Sequence, residues 1–185
     1  MTWAGVINHL SYPAMVLPEP TARLRFREMS DDDLDHMAAL LGDPEVMRFY
    51  PAPKNRAQAQ SWIDWNVQNY ALHGFGLWVV ETHDGEFVGD CGLTWQTVGG
   101  ERHVEVGYHV RAELQGRGFA TEAAAACRDA ARAGGIGHLV AIIHPRNVPS
   151  QRVAQKLGLT LERSVPHGEG EALIFSADLD RATRS

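Results

Sequence analysis

The chain has 185 residues, a formal net charge of −6, and apolar and charged fractions ordinary for a soluble globular protein. That length allows one domain with a proper core, and the acidic balance argues against a nucleic-acid partner, which would want a basic face. Two cysteines, Cys91 and Cys127, are too few for a disulfide framework, and no apolar run reaches the ~18 residues of a membrane span.

Both cysteines stand in apolar segments and read as reduced core residues. The amino terminus has no cationic start followed by a long apolar stretch, so no secretory signal is expected and the cytoplasm is the expected location. Residues 1–21 carry Pro13, Pro18 and Pro20 without a clear period, an irregular arm. From Ala22 to Met29, Leu24 and Phe26 alternate with Arg23, Arg25 and Arg27, a strand period. Ser30 to Asp33 matches a capping box. Leu34, Met37, Ala38 and Leu41 follow at helical spacing until Gly42 and Pro44. A second helix is predicted from Arg56 to His73, ending at Gly74.

Phe75 to Thr82 and Phe87 to Thr97 read as strands joined by the turn at His83 to Glu86. Gly89 and Gly92 point to a bulge or a close approach. Gly99 and Gly100 turn the chain into a third strand, where Val104, Val106, Tyr108 and Val110 alternate with Glu105, Gly107 and His109. A small-residue helix follows, with Ala120, Ala123, Ala124, Cys127 and Ala131 on one smooth face, capped by Gly134-Gly135. His138 to His144 is a buried-type strand. A short helix with Pro149 in its first turn ends at Gly158. Leu159 to Val165 and Ala172 to Ala177 pair around His167 to Gly170, and residues 179–185 read as a tail. The order is β-α-α-β-β-β-α-β-α-β-β, with no repeat and no linker long enough to divide the chain.

The strongest signal is the corner before the small-residue helix, Gln115-Gly116-Arg117-Gly118-Phe119-Ala120. Two glycines bend the backbone tightly and leave the first N–H groups of the helix uncovered at the positive end of its dipole, a site for an anion such as a pyrophosphate. Arg117 adds a charged donor. The G-x-x-x-x-G-K-S/T string of a P-loop is absent. Gly116-x-Gly118 lacks the third glycine of a dinucleotide fingerprint and comes too late in the chain for one.

Gln115-x-x-Gly118-x-Ala120 resembles the Q/R-x-x-G-x-G/A acetyl-CoA loop of the GCN5-related N-acetyltransferases. Asn147-Val148-Pro149-Ser150, followed by Val153 and Lys156-Leu157-Gly158-Leu159, resembles that family's N-x-x-S…KLGF segment, in the family's order and separation. Glu105-Val106-Gly107-Tyr108 and the serine after Asn147 look most like the RimJ/RimL branch, which acetylates protein N-termini. The resemblance covers about residues 22–178, so the domain is expected there. It implies an α/β (α+β) fold with a mixed, mostly antiparallel central sheet of six to seven strands. About four helices would flank that sheet, which would be splayed in its middle.

The resemblance also implies roles. Gly116, Arg117, Gly118, Ala120 and Thr121, with Gln115 and Phe119 in the same loop, would cradle the pyrophosphate of acetyl-CoA. The strand at Tyr108, His109 and Val110 would pair with the pantetheine arm as an added strand does. Asn147 would bond that arm, or cap its helix, or both; Arg152 is a candidate for a CoA phosphate or a plain exposed charge.

An amine acceptor is protonated wholly or in part at neutral pH and needs a base to free its lone pair. Glu105 is the candidate base, against the alternative of a solvent-facing carboxylate paired with Arg102 or Arg25. Many relatives place a tyrosine acid one turn beyond the asparagine; here that position is Ala154. Ser150 is the nearest hydroxyl in the motif, and a capping role suits it equally. Trp62, Trp65, Trp78 and Trp95, with the Phe49-Tyr50 loop, are candidates to line the acceptor pocket.

The implied activity is direct transfer of acetyl from acetyl-CoA to a primary amine, a protein N-terminus or a small molecule. No metal and no membrane are expected, and monomer and homodimer both stay open. The alternatives are a non-catalytic acyl-CoA-binding regulator or structural protein, and a different acyl donor.

Overall fold

A computed structural model describes residues 17–179. The arm expected over 1–21 and the tail after 178 therefore lie largely outside the described residues. Within them the chain forms strand β1 (Leu24–Arg27), helices α1 (Leu34–Gly42) and α2 (Arg56–His73), then strands β2 (Leu77–Thr82), β3 (Phe87–Val98) and β4 (Glu101–Val110). Helix α3 (Phe119–Ala133), strand β5 (His138–Ile143), helix α4 (Val148–Lys156) and strands β6 (Thr160–His167) and β7 (Gly170–Asp178) complete it. The seven strands make one sheet in the order β1-β2-β3-β4-β5-β7-β6. Every neighbouring pair is antiparallel except β4 and β5, which run parallel. This is the mixed, mostly antiparallel sheet with four helices that the sequence leads one to expect.

Local chemistry explains the element ends. Ser30 N–H donates to the Asp33 carboxylate (2.9 Å), which leads through a 3-10 turn into α1. Asn55 and Gln58 cap α2 reciprocally, and Gly74 ends it at φ 73°, a conformation open to glycine. Inside α2, the fully buried Asn66 donates to Trp62 O (3.0 Å) and accepts from Leu77 N–H (2.7 Å), tying the helix to β2. Gly92 and Gly89 mark the close approaches that their positions in an apolar strand announce. A Cβ at Gly92 would lie 2.0 Å from Gly76 O, and one at Gly89 would lie 2.0 Å from His109 O.

The sheet has two apolar faces. On one, α1 and α2 bury Met37, Leu40, Leu41 and Ile63 against Leu77, Val79 and Phe87. On the other, Ala123, Ala124, Cys127 and Ala131 of α3 lie on Cys91, Leu93 and Val106. The small side chains let α3 sit close to the sheet. Cys91 and Cys127 are free thiols in that contact, their Sγ atoms 3.5 Å apart, and burial pushes the Cys91 thiol well up. Leu179, at the head of the expected tail, is buried and donates its N–H to Gly137 O (2.8 Å).

The feature that positions the site is the seam between β4 and β5. Their ladder consists of one residue pair, Glu105 opposite Val140, after which the strands part. The gap opens at the end of the sheet where α3 and α4 begin.

Candidate functional site

One wall of the site is the glycine corner. Gly116 (φ 74°) and Gly118 (φ 83°) adopt the left-handed conformation that favours glycine, and no side chain caps the start of α3. Gln115 to Gly118 are exposed, so the first N–H groups of α3 face outward. Phe119 is buried; its ring lies under the guanidinium groups of Arg23 (4.5 Å) and Arg117 (5.4 Å), so only its main chain can take part in a cradle. Ala120 and Thr121 are half-buried in the first turn. Gln115 turns back, and its amide donates to Val110 O (3.0 Å), linking the corner to the end of β4.

The corner is braced from the far edge of the sheet. Arg23 Nη1 donates to Arg117 O (2.9 Å), and Arg23 Nε donates to Glu122 Oε2 (2.6 Å). The main-chain N–H of Arg23 and the hydroxyl of Thr21 both donate to Glu122 Oε1 (3.0 and 2.6 Å). Partial burial works against the Glu122 charge, but these donors hold its carboxyl below the usual carboxylate range. Arg23→Ala is expected to weaken coenzyme A binding by roughly fivefold, about 1 kcal/mol, through a looser corner. Isothermal titration checks this; the fold should persist, because the Arg23 side chain is 46% exposed.

The second wall is β4. The register alternates main-chain directions, so His109 points its N–H at β3, where Asp90 Oδ1 accepts it (3.2 Å). Tyr108 and Val110 present their main-chain groups to the opposite edge, beside the gap. Glu105 crosses that gap: its Oε1 accepts the N–H of Ile142 on β5 (3.3 Å). It pairs with neither Arg102, which stacks on Trp95, nor Arg25, which bonds Glu81. Burial pushes the Glu105 carboxyl up to about 7, against the opposing pull of the Ile142 N–H and of His109.

Glu105, Gly107 and His109 share the face covered by α1 and α2. Gly107 leaves a bare step between them; an added Cβ would touch only Leu77, at 3.6 Å. Across β3, Asp90 accepts from His109 Nδ1 (2.7 Å) and Trp62 Nε1 (3.0 Å). The loop between α1 and α2 closes over this region: Tyr50 meets His109 Nε2 (2.8 Å), and Phe49 stacks on His144 (5.5 Å) just past β5. The loop therefore spans the ends of both parted strands. Of the four tryptophans, Trp62 and Trp65 lie together on α2 beside His109, Trp78 is core, and Trp95 packs against Phe75.

The third wall is the start of α4. Asn147 Oδ1 accepts Ser150 N–H (3.2 Å) and so caps the helix. Ser150 is half-buried, Arg152 is exposed, and Ala154 is buried without exposure. The Tyr108 hydroxyl donates to Ser150 O (3.1 Å), and burial pushes the phenol up, so it keeps its proton.

A glycine corner, a parted parallel pair and a carboxylate bridging them are thus assembled on one end of the sheet. The family model described as acetyltransferase (GNAT) domain matches residues 23–160. The chain belongs to the GNAT acetyltransferase family. Protein YkkB of Bacillus subtilis (strain 168), uncharacterized, is 36% identical over 148 residues, which are 78% of this chain and 86% of its own. The acetyltransferase of Agrobacterium tumefaciens str. C58 superposes with a TM-score of 0.77 at 25% identity, over 88% of this chain and 94% of that one. RimL, the ribosomal L7/L12 alpha-N-protein acetyltransferase, solved with coenzyme A, shares the fold alone (TM-score 0.73, 14% identity, 90% and 99% covered).

Within this GNAT domain, Asp90, Arg23 and the hydroxyl of Tyr108 are not among the site groups expected from the sequence, whereas Tyr50 is, as part of the loop expected to line the acceptor pocket. Asp90 did carry a signal: it is the one charged residue in β3, and a lone carboxylate in an apolar strand needs donors. Arg23 carried none, since its partner Glu122 lies 99 residues away in the chain, and the partner of Tyr50, 59 residues away, was likewise hidden.

Proposed function

We propose that the chain is an acetyl-CoA-dependent N-acetyltransferase that acts on a primary amine by direct transfer in a ternary complex. A single domain over residues 22–178 would carry the activity. The observation that carries this reading is Glu105, a carboxylate raised to about 7 and lodged where β4 and β5 part, next to an uncovered helix start. The N–H groups at Gly116 to Thr121 hold the pyrophosphate, with Arg117 adding charge. Tyr108 and Val110 offer the free edge of β4 to the pantetheine amides, while Gln115 keeps the corner docked on that edge. Asn147 fixes α4 beside the same arm, and Arg152 is placed for an outlying phosphate.

In the transfer step, Glu105 takes a proton from the acceptor ammonium, directly or through water. The freed nitrogen lone pair attacks the thioester carbon, whose oxygen becomes an oxyanion facing the Val110 N–H. As the C–S bond breaks, the thiolate takes one of the two protons that the nitrogen sheds, passed by a water positioned at the Ser150 hydroxyl.

The likeness of Glu105 to Tyr108 and of the serine at 150 to the RimJ/RimL branch supports protein N-termini as the acceptors, in the cytoplasm. A purified-protein screen with acetyl-CoA tests this. Peptides with free N-termini, polyamines and aminoglycosides serve as acceptors, and thiol release is followed. Amine-dependent release on at least one acceptor is expected, with peptides favoured. Tight coenzyme A binding with no release on any amine would leave the non-catalytic acyl-CoA-binding reading instead.

A further inference from the structure

Beyond Glu105, the acceptor face holds a second ordered array of polar groups to which the transfer reading gives no task. Asp90 sits in mid-strand with its side chain fully enclosed. Its carboxylate receives three contacts, from the Trp62 indole (3.0 Å), the His109 main-chain N–H (3.2 Å) and His109 Nδ1 (2.7 Å). A carboxylate only accepts, so the ring proton of neutral His109 belongs on Nδ1. Nε2 is then an acceptor, and the Tyr50 hydroxyl donates to it (2.8 Å). Tyr50 is 46% exposed as a whole residue, its hydroxyl turned inward to the ring of His109, which is 7% exposed, while Asp90 is 1% exposed. The array therefore runs from a residue at the surface to a sealed carboxylate.

Resting on the transfer reading above, we propose that Tyr50, His109 and Asp90 form a proton relay for the acceptor nitrogen. Tyr50 is the group that touches the amine, and His109 and Asp90 are positioning residues behind it. The stoichiometry of the reaction gives the relay work. An ammonium that becomes an amide sheds two protons, one before attack and one from the cationic nitrogen of the tetrahedral adduct. One goes to the leaving thiolate and one to water by the end of the turnover.

Glu105, once protonated, is neutral and accepts no second proton. In the relay, the nitrogen gives its proton to the Tyr50 oxygen while the Tyr50 proton passes to His109 Nε2. The imidazolium that forms faces the Asp90 charge, and it returns its proton to water through Tyr50 when product leaves. The charged and titratable groups around the ring are Asp90 from β3, Glu105 from β4, Tyr50 from the loop and, stacked on the Trp62 ring from the same loop (5.4 Å), Lys54.

Two measurements on the full-length protein decide this. In 15N-histidine NMR at pH 8, with His109 assigned by loss of its signals in His109→Gln, the proton is expected on Nδ1. Tyr50→Phe should shift the Nε2 resonance alone; a proton on Nε2 in the wild type overturns the relay. With an amine that the wild type acetylates, Tyr50→Phe is expected to lower kcat at least ~20-fold, within the usual range for proton-transfer groups. KM for acetyl-CoA should stay within twofold. Asp90→Asn should move the ring proton to Nε2 and lower kcat likewise, as a tautomer change does elsewhere. Retention of kcat within threefold in Tyr50→Phe overturns the relay. If the wild type acetylates no amine in the screen, the transfer reading falls, and the tautomer alone decides whether this chain of bonds exists.

Discussion

Glu105→Gln is expected to lower acetyl transfer by at least ~100-fold while leaving coenzyme A affinity within about twofold, the range for loss of a general base. The amide keeps the shape, so Ile142 N–H retains an oxygen to bond and the parted strands keep their spacing. What is lost is the capacity to take a proton. Because burial raises the carboxyl to about 7, the wild-type rate should climb as pH rises through about 7, where the base form appears. That limb should vanish in the glutamine variant, read from kcat against pH at saturating acetyl-CoA.

Stability follows the opposite sign. The folded-state value lies above the ~4.3 of an unfolded chain, so the folded form binds more protons between the two values. The stability this group contributes is complete below the unfolded value and is lost as pH rises through about 7. Glu105→Gln should therefore melt a few degrees higher than wild type at pH 8.5, with the difference shrinking towards pH 5. Equal melting curves at both pH values, with undiminished turnover, would remove Glu105 from the base role.

Gly118→Asp carries the second large effect. At φ 83° any side chain is strained, by about 1 kcal/mol, and a carboxylate would stand at the helix start proposed to hold the coenzyme's anion. The added Cβ would also approach Arg23 Nη2, at 3.3 Å, and draw the brace into the cradle. Coenzyme A affinity is expected to fall at least ~100-fold, about 2.7 kcal/mol. Gly118→Ala separates the two causes, since it adds the strain without the charge and should lose about tenfold or less. Titration calorimetry on both variants checks the order. Unchanged affinity in the aspartate variant would place the pyrophosphate elsewhere.

Much of this architecture is legible in local pattern, and the reasons are physical. Val104 to Val110 alternates because one face of β4 is core and the other is the site. Gly74 and Gly118 stand where only a left-handed backbone completes the turn, and the alanines of α3 mark close packing of a helix on a sheet. Such features depend on a few neighbouring residues, so the order of elements and the glycine corner can be read directly. The hydrogen-bonded groups of the site depend on contacts between distant segments. Arg23 meets Glu122 only because the edge strand passes the start of α3, and Tyr50 meets His109 only because the loop after α1 folds over β4. His109 illustrates the limit: the alternation puts it on β4 among the residues expected to pair with the pantetheine arm, but its main-chain N–H turns to Asp90 on β3 instead of the gap, and its side-chain partners come from distant segments.

The bare step at Gly107 has a consequence for how such a protein diversifies. Its backbone is ordinary extended chain, and a Cβ there would meet Leu77 at an ordinary contact distance of 3.6 Å, so a small side chain would fit without disturbing the sheet. It lies on the face of β3 and β4 that α1 and α2 cover, opposite the face packed by α3. Under the transfer reading, acceptor choice and donor grip are thereby separable traits. A lineage could exchange one residue on that floor and inherit a new clientele of amines while the coenzyme's berth stays as it was.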